Sequence, residues 1–129
     1  MVHTGIEFSV NIGRFCLAKL SRDIDIGSIE DSGPFFSVTR DSDEISIVAE
    51  EPFVHPLAEI QRGWRALKVK GPLEFDLIGV LTSIVGPLAE VGISVFAVST
   101  YSTDYIFLLD YNLDKAVETL EFAGHRRVD

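Results

Sequence analysis

A carboxylate in a polar turn and the amides that open a helix are the residues best suited to chemistry. Ile93-Ser-Val-Phe-Ala-Val-Ser-Thr-Tyr-Ser-Thr-Asp-Tyr-Ile-Phe-Leu-Leu109 reads as two strands, Ile93–Ser99 and Tyr105–Leu109, around the short turn Thr100–Asp104. Asp104 offers a counter-charge to an ammonium, and Thr100, Ser102 and Thr103 add hydroxyls. Gly71-Pro-Leu-Glu-Phe75 leads into a nearly uncharged helical run, Phe75–Val91. The first N–H groups of such a helix lack intrahelical partners and suit a carboxylate. A helix start and a polar strand end brought close together hold a small zwitterion. By residue type alone, an ordinary turn aspartate and an ordinary strand-to-helix turn explain the same residues. Two or three charged hydrogen bonds of about 1.5–3 kcal/mol each, with side-chain burial, reach the roughly 8 kcal/mol of a micromolar binder.

Other chemistries lack their residues. His3, His55 and His125 are scattered, with no zinc-ligand spacing, so no metal site is expected. Cys16 is the only cysteine and sits in an alternating apolar segment, which favours a buried small hydrophobe over a nucleophile. There is no Gly-x-Ser-x-Gly, P-loop or Gly-x-Gly-x-x-Gly, so acyl transfer, nucleotide hydrolysis and dinucleotide binding have no motif, and no cofactor is expected.

The elements that must position the turn and the helix entry follow from periodicity. Phe8–Leu20 looks extended, and Asp23–Pro34 holds one helical turn at most. Phe35–Arg40 and Glu44–Ala49 form a hairpin around Asp41-Ser-Asp43. Pro52–Gln61 is read as containing a short helix, and Trp64–Lys70 as a strand. Leu77, Leu81, Ile84, Val85 and Leu88 recur at helical spacing; Pro87 predicts a kink or break, and Gly92 a C-cap. Asn112 is expected to cap a second helix with the stripe Leu113, Ala116, Val117, Leu120 and Ala123, closed by Gly124. His125–Val128 forms a last short strand.

From Trp64 onward the order is β-α-β-β-α-β, the ferredoxin-like arrangement. The first half repeats it in degenerate form. The fold class is therefore α+β: two fused ferredoxin-like units, the N-terminal one degenerate, with antiparallel sheets and helices on one face. Ile93, Val95 and Ala97 on one side of a strand, and Phe96 and Val98 on the other, make both of its faces apolar. The face without helices is then expected to be covered by the other half of the chain or by a second chain.

The chain has 129 residues, 47% of them hydrophobic, enough for a well-buried core. Its net charge of −9 repels phosphate backbones and anionic headgroups, so no nucleic acid and no membrane partner is expected. This also argues against Phe96 and Phe107 as RNA-stacking aromatics. A single cysteine, no long apolar run and no signal-peptide pattern point to a cytoplasmic protein.

Phe35-Phe-Ser-Val-Thr-Arg…Glu-Ile-Ser-Ile-Val, Gly63-Trp-Arg-Ala-Leu-Lys-Val-Lys-Gly-Pro-Leu-Glu-Phe75, Pro87-Leu-Ala-Glu-Val-Gly-Ile-Ser-Val-Phe96 and Ser99-Thr-Tyr-Ser-Thr-Asp-Tyr-Ile106 resemble the tandem ACT-domain proteins, in particular the CASTOR-type amino-acid-sensor branch and its small bacterial relatives. The resemblance covers about residues 14–124. It implies a degenerate N-terminal ACT-like unit over residues 1–62 and a C-terminal ACT domain over 63–129. It also implies a small amino-acid ligand bound between two ACT units. One unit would supply Ser94 and Val95, and the other would supply Glu74, Leu77 and Gly79 at the helix entry with Thr100, Tyr101 and Asp104 in the turn. The sensor branch carries four such units where this chain has two, so a homodimer is implied, with a protein partner as the regulated target. Leu77 stands where an arginine-binding sensor uses an acidic residue, which favours an apolar or small amino acid. The expected protein is thus a regulatory, allosteric module without catalysis. A ligand-free assembly module is the first alternative and a small ferredoxin-like enzyme the second.

Overall fold

The structure is a computed structural model that describes residues 5–31, 33–70 and 79–129. It is a mixed α+β, sheet-dominated fold with two α-helices among the described residues. The chain forms two compact units, Gly13–Trp64 and Met1–Ile12 joined by Arg65–Asp129. The first strand, Glu7–Val10, belongs to the same unit as the residues from Arg65 onward.

In the Gly13–Trp64 unit, strands β2 (Phe15–Ser21), β3 (Phe36–Arg40), β4 (Glu44–Glu50) and the first half of β5 (Glu59–Val69) pair in the order β3-β4-β2-β5. These neighbours pair antiparallel. Period-two alternation sends Cys16, Ala18, Leu20, Ile45, Ile47 and Ala49 to one face, where they form a core with Phe53. Leu17, Lys19, Ser46, Glu59 and Gln61 fall on the other. Burial pushes the Cys16 thiol up, as befits a packed apolar side chain. Among the described residues of Asp23–Pro34 there is one 3-10 turn, Ile26–Ser28, capped by Asp25. No helix forms within 52–61; two hydrogen-bonded turns lead into β5, which starts five residues before Trp64. Gly63, at φ 88°, absorbs the extra residue of a bulge where Phe15 faces Trp64 but Leu17 faces Gln61.

The other unit contains β1 (Glu7–Val10), the second half of β5, α1 (Val80–Glu90), β6 (Phe96–Ser99), β7 (Asp104–Leu109), α2 (Leu113–Phe122) and β8 (Arg126–Arg127). From β5 onward this is the expected β-α-β-β-α-β order. β8 lies parallel to β1 rather than beside β5, and β1 pairs antiparallel with β5. The expected single extended stretch Phe8–Leu20 is thus two strands, interrupted around Gly13 at φ 96°.

Leu67, Val69, Ile106 and Leu108 meet Ile84, Leu88, Ala116 and Leu120 in one core. Each such buried aliphatic side chain contributes roughly 1.5–3 kcal/mol. Gly92 and Gly124 end the helices in the left-handed region, at φ 79° and 98°. In both, the next N–H reaches back, from Ile93 to Leu88 O at 2.9 Å and from His125 to Leu120 O at 3.0 Å. Asn112 does not cap α2 with its side chain; a 3-10 turn, Asp110–Asn112, runs into the helix instead. The strand read as Ile93–Ser99 begins only at Phe96.

Pro87 lies inside α1 without ending it. It removes the N–H that would bond Ser83 O, and His125 Nε2 occupies that oxygen at 2.9 Å. The Ile6 N–H donates to Nδ1 of the buried ring at 3.3 Å, which assigns the donor role toward Ser83 O to Nε2.

Candidate ligand site

The turn between β6 and β7 is a closed device. Thr100 N–H donates to Thr103 O at 2.8 Å, and Thr103 N–H donates to Thr100 Oγ1 at 3.2 Å. Thr103 is buried, and its hydroxyl donates to Val69 O at 2.5 Å. That bond pins the turn to the last residue of β5, where the chain sets out toward α1. Among the residues read from sequence, Thr103 counted only as one more hydroxyl. Its role as the pin depends on a partner 34 positions away, which local pattern does not reveal.

Asp104 is not a turn residue but the first residue of β7, paired with Ser99. Ile106 and Leu108 share its face of the strand, and both sit in the core beneath the helices. Asp104 therefore lies on the helix-bearing face, half-buried, at the end of the sheet. One carboxylate oxygen accepts a hydrogen bond from Ser99 Oγ. The other makes no bond among the described residues and can accept from a ligand ammonium.

Of the remaining expected site residues, Glu74 and Leu77 lie outside the described residues, as does Gly71–Phe75 at the helix entry. Gly79 is the N-cap of α1, in the left-handed region at φ 82°, where a side chain would be strained. Thr100 and Tyr101 are exposed in the turn, Tyr101 at 83%. Ser94 is exposed and Val95 packs half-buried against the core, and both precede β6 instead of opening it. The turn thus gathers Thr100, Tyr101 and Asp104. Ser94 and Val95 fall before the opposite end of β6, five and four residues from Ser99, or about 16 and 13 Å along an extended chain.

Phe107 is fully buried and stacks on Phe96 at 4.9 Å between centroids, so it is not an exposed base-stacking surface. No group of three or more His, Cys, Asp and Glu side chains among the described residues is arranged to hold a metal ion. No helix among them is long and apolar enough to cross a membrane.

The ACT domain family model matches residues 59–121, which include the β6–β7 turn and both helices. The chain is 31% identical over 103 residues to the mouse protein "Cytosolic arginine sensor for mTORC1 subunit 1", a match over 68% of this chain but only 29% of the mouse protein. The crystal structure of protein Atu0741 from Agrobacterium tumefaciens superposes with a TM-score of 0.89 at 32% identity, covering 98% of this chain and 94% of that one. Clostridium acetobutylicum aspartate kinase shares the fold, with a TM-score of 0.69 at 11% identity over 96% of this chain and 36% of the kinase. With the turn, helices and strand order already accounted for, these matches show an ACT domain over residues 59–121 and a relationship of the chain to the CASTOR-type sensors.

Proposed function

We propose that this protein is an amino-acid-binding regulatory module without a reaction of its own, acting through association of ACT units. The observation that carries the proposal is Asp104, a carboxylate on the helix-bearing face of a strand whose next residues on that face are core aliphatics. Burying a carboxylate part-way costs stability unless it is paired, so a charged group in that position fits a role in binding better than one in packing. The Thr103–Val69 bond holds the turn beside the strand end that leads toward α1, and the amides of the helix start are suited to a ligand carboxylate. The mouse relative's name describes an arginine sensor. For this chain a small or apolar amino acid is the proposed ligand, because Leu77 is uncharged.

The same proposal reads Gly13–Trp64 as the degenerate ACT-like unit and the rest as the ACT domain. It also places the complete site between two chains. Ser94 and Val95 lie too far along β6 from Asp104 for one amino acid to touch both within a unit. Among the described residues β6 pairs with β7 alone, leaving its other edge open to a second copy. A homodimer joined there brings the start of β6 of one chain toward the turn of the other. Ligand binding then shifts the population toward the bridged arrangement.

Thermal shift against the twenty amino acids tests the reading, and a small or apolar one is expected to raise Tm. In calorimetry, Asp104→Ala should weaken that ligand about tenfold or more. An unchanged affinity would remove Asp104 from the mechanism. Dimerisation without any amino-acid response would leave the ligand-free assembly reading.

A further inference from the structure

The outer face of the Gly13–Trp64 sheet, the one turned away from its core, holds an open hollow of about 230 Å³. Its lining comes from three adjacent strands: Leu17 and Lys19 from β2, Glu44 and Ser46 from β4, Glu59 and Gln61 from β5. Lys19 stands directly opposite Ser46 on one side and Glu59 on the other. Ser46 Oγ donates to Glu44 Oε2 at 3.0 Å and holds that carboxylate beside the hollow. Among the described residues, neither Lys19 nor Glu59 makes an ion pair. Lys68, in the other unit, is occupied differently, with its ammonium 5.5 Å from the centre of the Tyr105 ring.

The charge pattern specifies a ligand. Neighbouring strands lie about 4.8 Å apart, so Glu44 and Glu59 flank Lys19 from strands roughly 10 Å apart. One ammonium between two carboxylates leaves the hollow with a net charge of −1. A ligand that neutralises all three groups carries one carboxylate and two cationic groups separated by a short chain. The half-buried Leu17 at the floor suits the methylenes of that chain. The volume is below the roughly 300–1,000 Å³ of sites for drug-sized ligands and matches a single small molecule.

We propose that this hollow binds a linear diamino acid, with Lys19 on its carboxylate and Glu44 and Glu59 on its two ammonium groups. This goes beyond the Asp104 site and does not depend on it. Lys19, Glu59 and Gln61 are exposed, so water competes for each contact and an affinity of about millimolar is expected.

The test is an NMR titration of the full chain with L-lysine, with L-norleucine as the neutral counterpart and 1,5-diaminopentane as the counterpart without a carboxylate. L-lysine is expected to shift amides around Leu17–Lys19, Glu44–Ser46 and Glu59–Gln61. L-norleucine should bind at least about threefold more weakly, as should L-lysine to Glu59→Gln. Lys19→Met should abolish the preference for L-lysine over 1,5-diaminopentane. Asp104→Ala should leave these shifts in place, which separates this site from the proposed regulatory one. No shifts at these amides, equal binding of L-norleucine, or shifts confined to the β6–β7 turn would overturn the proposal.

Discussion

The β3–β4 and β6–β7 hairpins close in the same way. Arg40 pairs with Ile45 and Ser99 with Asp104, and in each loop the first N–H donates to the fourth carbonyl, Asp41 to Glu44 at 3.1 Å and Thr100 to Thr103 at 2.8 Å. In each, the side chain of the first loop residue also accepts from backbone. Asp41 Oδ1 takes the N–H groups of Asp43 and Glu44 at 2.7 and 2.9 Å, and Thr100 Oγ1 takes that of Thr103. Counted from these loops, Ile47 corresponds to Ile106 and Ala49 to Leu108, and all four lie in a core. At the first strand position after the loop the two part company. Ile45 is fully buried, whereas the corresponding residue is Asp104. The outer faces differ as well: Ser37, Thr39 and Ser46 with one buried aliphatic, Val48, in one, and Phe96, Val98, Tyr105 and Phe107 in the other. One hairpin packs aliphatics on the inner face and is mostly polar on the other, Val48 apart. The other sets a carboxylate at the mouth of its core and stacks aromatics outside. The difference teaches that a single position, where packing would favour an aliphatic, is the place to look for function.

Exchanging the residues at that position tests the contrast most strongly. Ile45→Asp puts an unpaired carboxylate into the core of the Gly13–Trp64 unit and should cost about 3–5 kcal/mol in urea denaturation. A loss below about 1 kcal/mol would show that the two positions are not distinguished by burial. His125→Leu should cost about 2–4 kcal/mol, because Ser83 O and Ile6 N–H are both left without their ring partner. Hydrogen exchange should place the damage in α1 and β1 and spare the β3–β4 hairpin. The reverse exchange, Asp104→Ile, should stabilise the fold by about 1 kcal/mol while abolishing any amino-acid-induced rise in Tm. Lower stability would mean that Asp104 serves the fold.

The smallest expected effect separates the two loop caps by pH. Two backbone N–H bonds hold the Asp41 carboxyl below its usual 3.8. A depressed folded value means that the contribution is present above pH 3.8 and is lost as pH falls through the folded value. The stability difference between the wild type and Asp41→Ala should therefore shrink in acid. The difference for Thr100→Val should stay level, since a hydroxyl does not titrate in that range.

Much of this was legible in the residues because it is local. The stripe from Leu113 to Leu120, the glycines that end both helices and the two hairpins with polar loops all follow from spacing within a few residues. The expected helix within Pro52–Gln61 failed because pairing with β2 draws the chain into β5. Of the kink or break expected at Pro87, the break does not occur, and a histidine 38 positions further on fills the vacant acceptor, as only tertiary packing can arrange. Of the candidate site, the turn and its aspartate were legible. Thr103 as the pin and Ser94 and Val95 outside the strand were not.

By itself the sequence determined the composition of the turn, the helix-forming and strand-forming segments and the presence of one carboxylate among apolar strands. Periodic patterns and turn residues act over short distances, so these features need no distant partner. Tertiary structure alone decided that β1 joins the later unit between β5 and β8, and that Asp104 shares a strand face with the core. It also decided that Lys19 stands between residues of β4 and β5. Each of these depends on which segments pair and in what register, and strand pairing is set by the burial of whole faces rather than by any neighbouring residue.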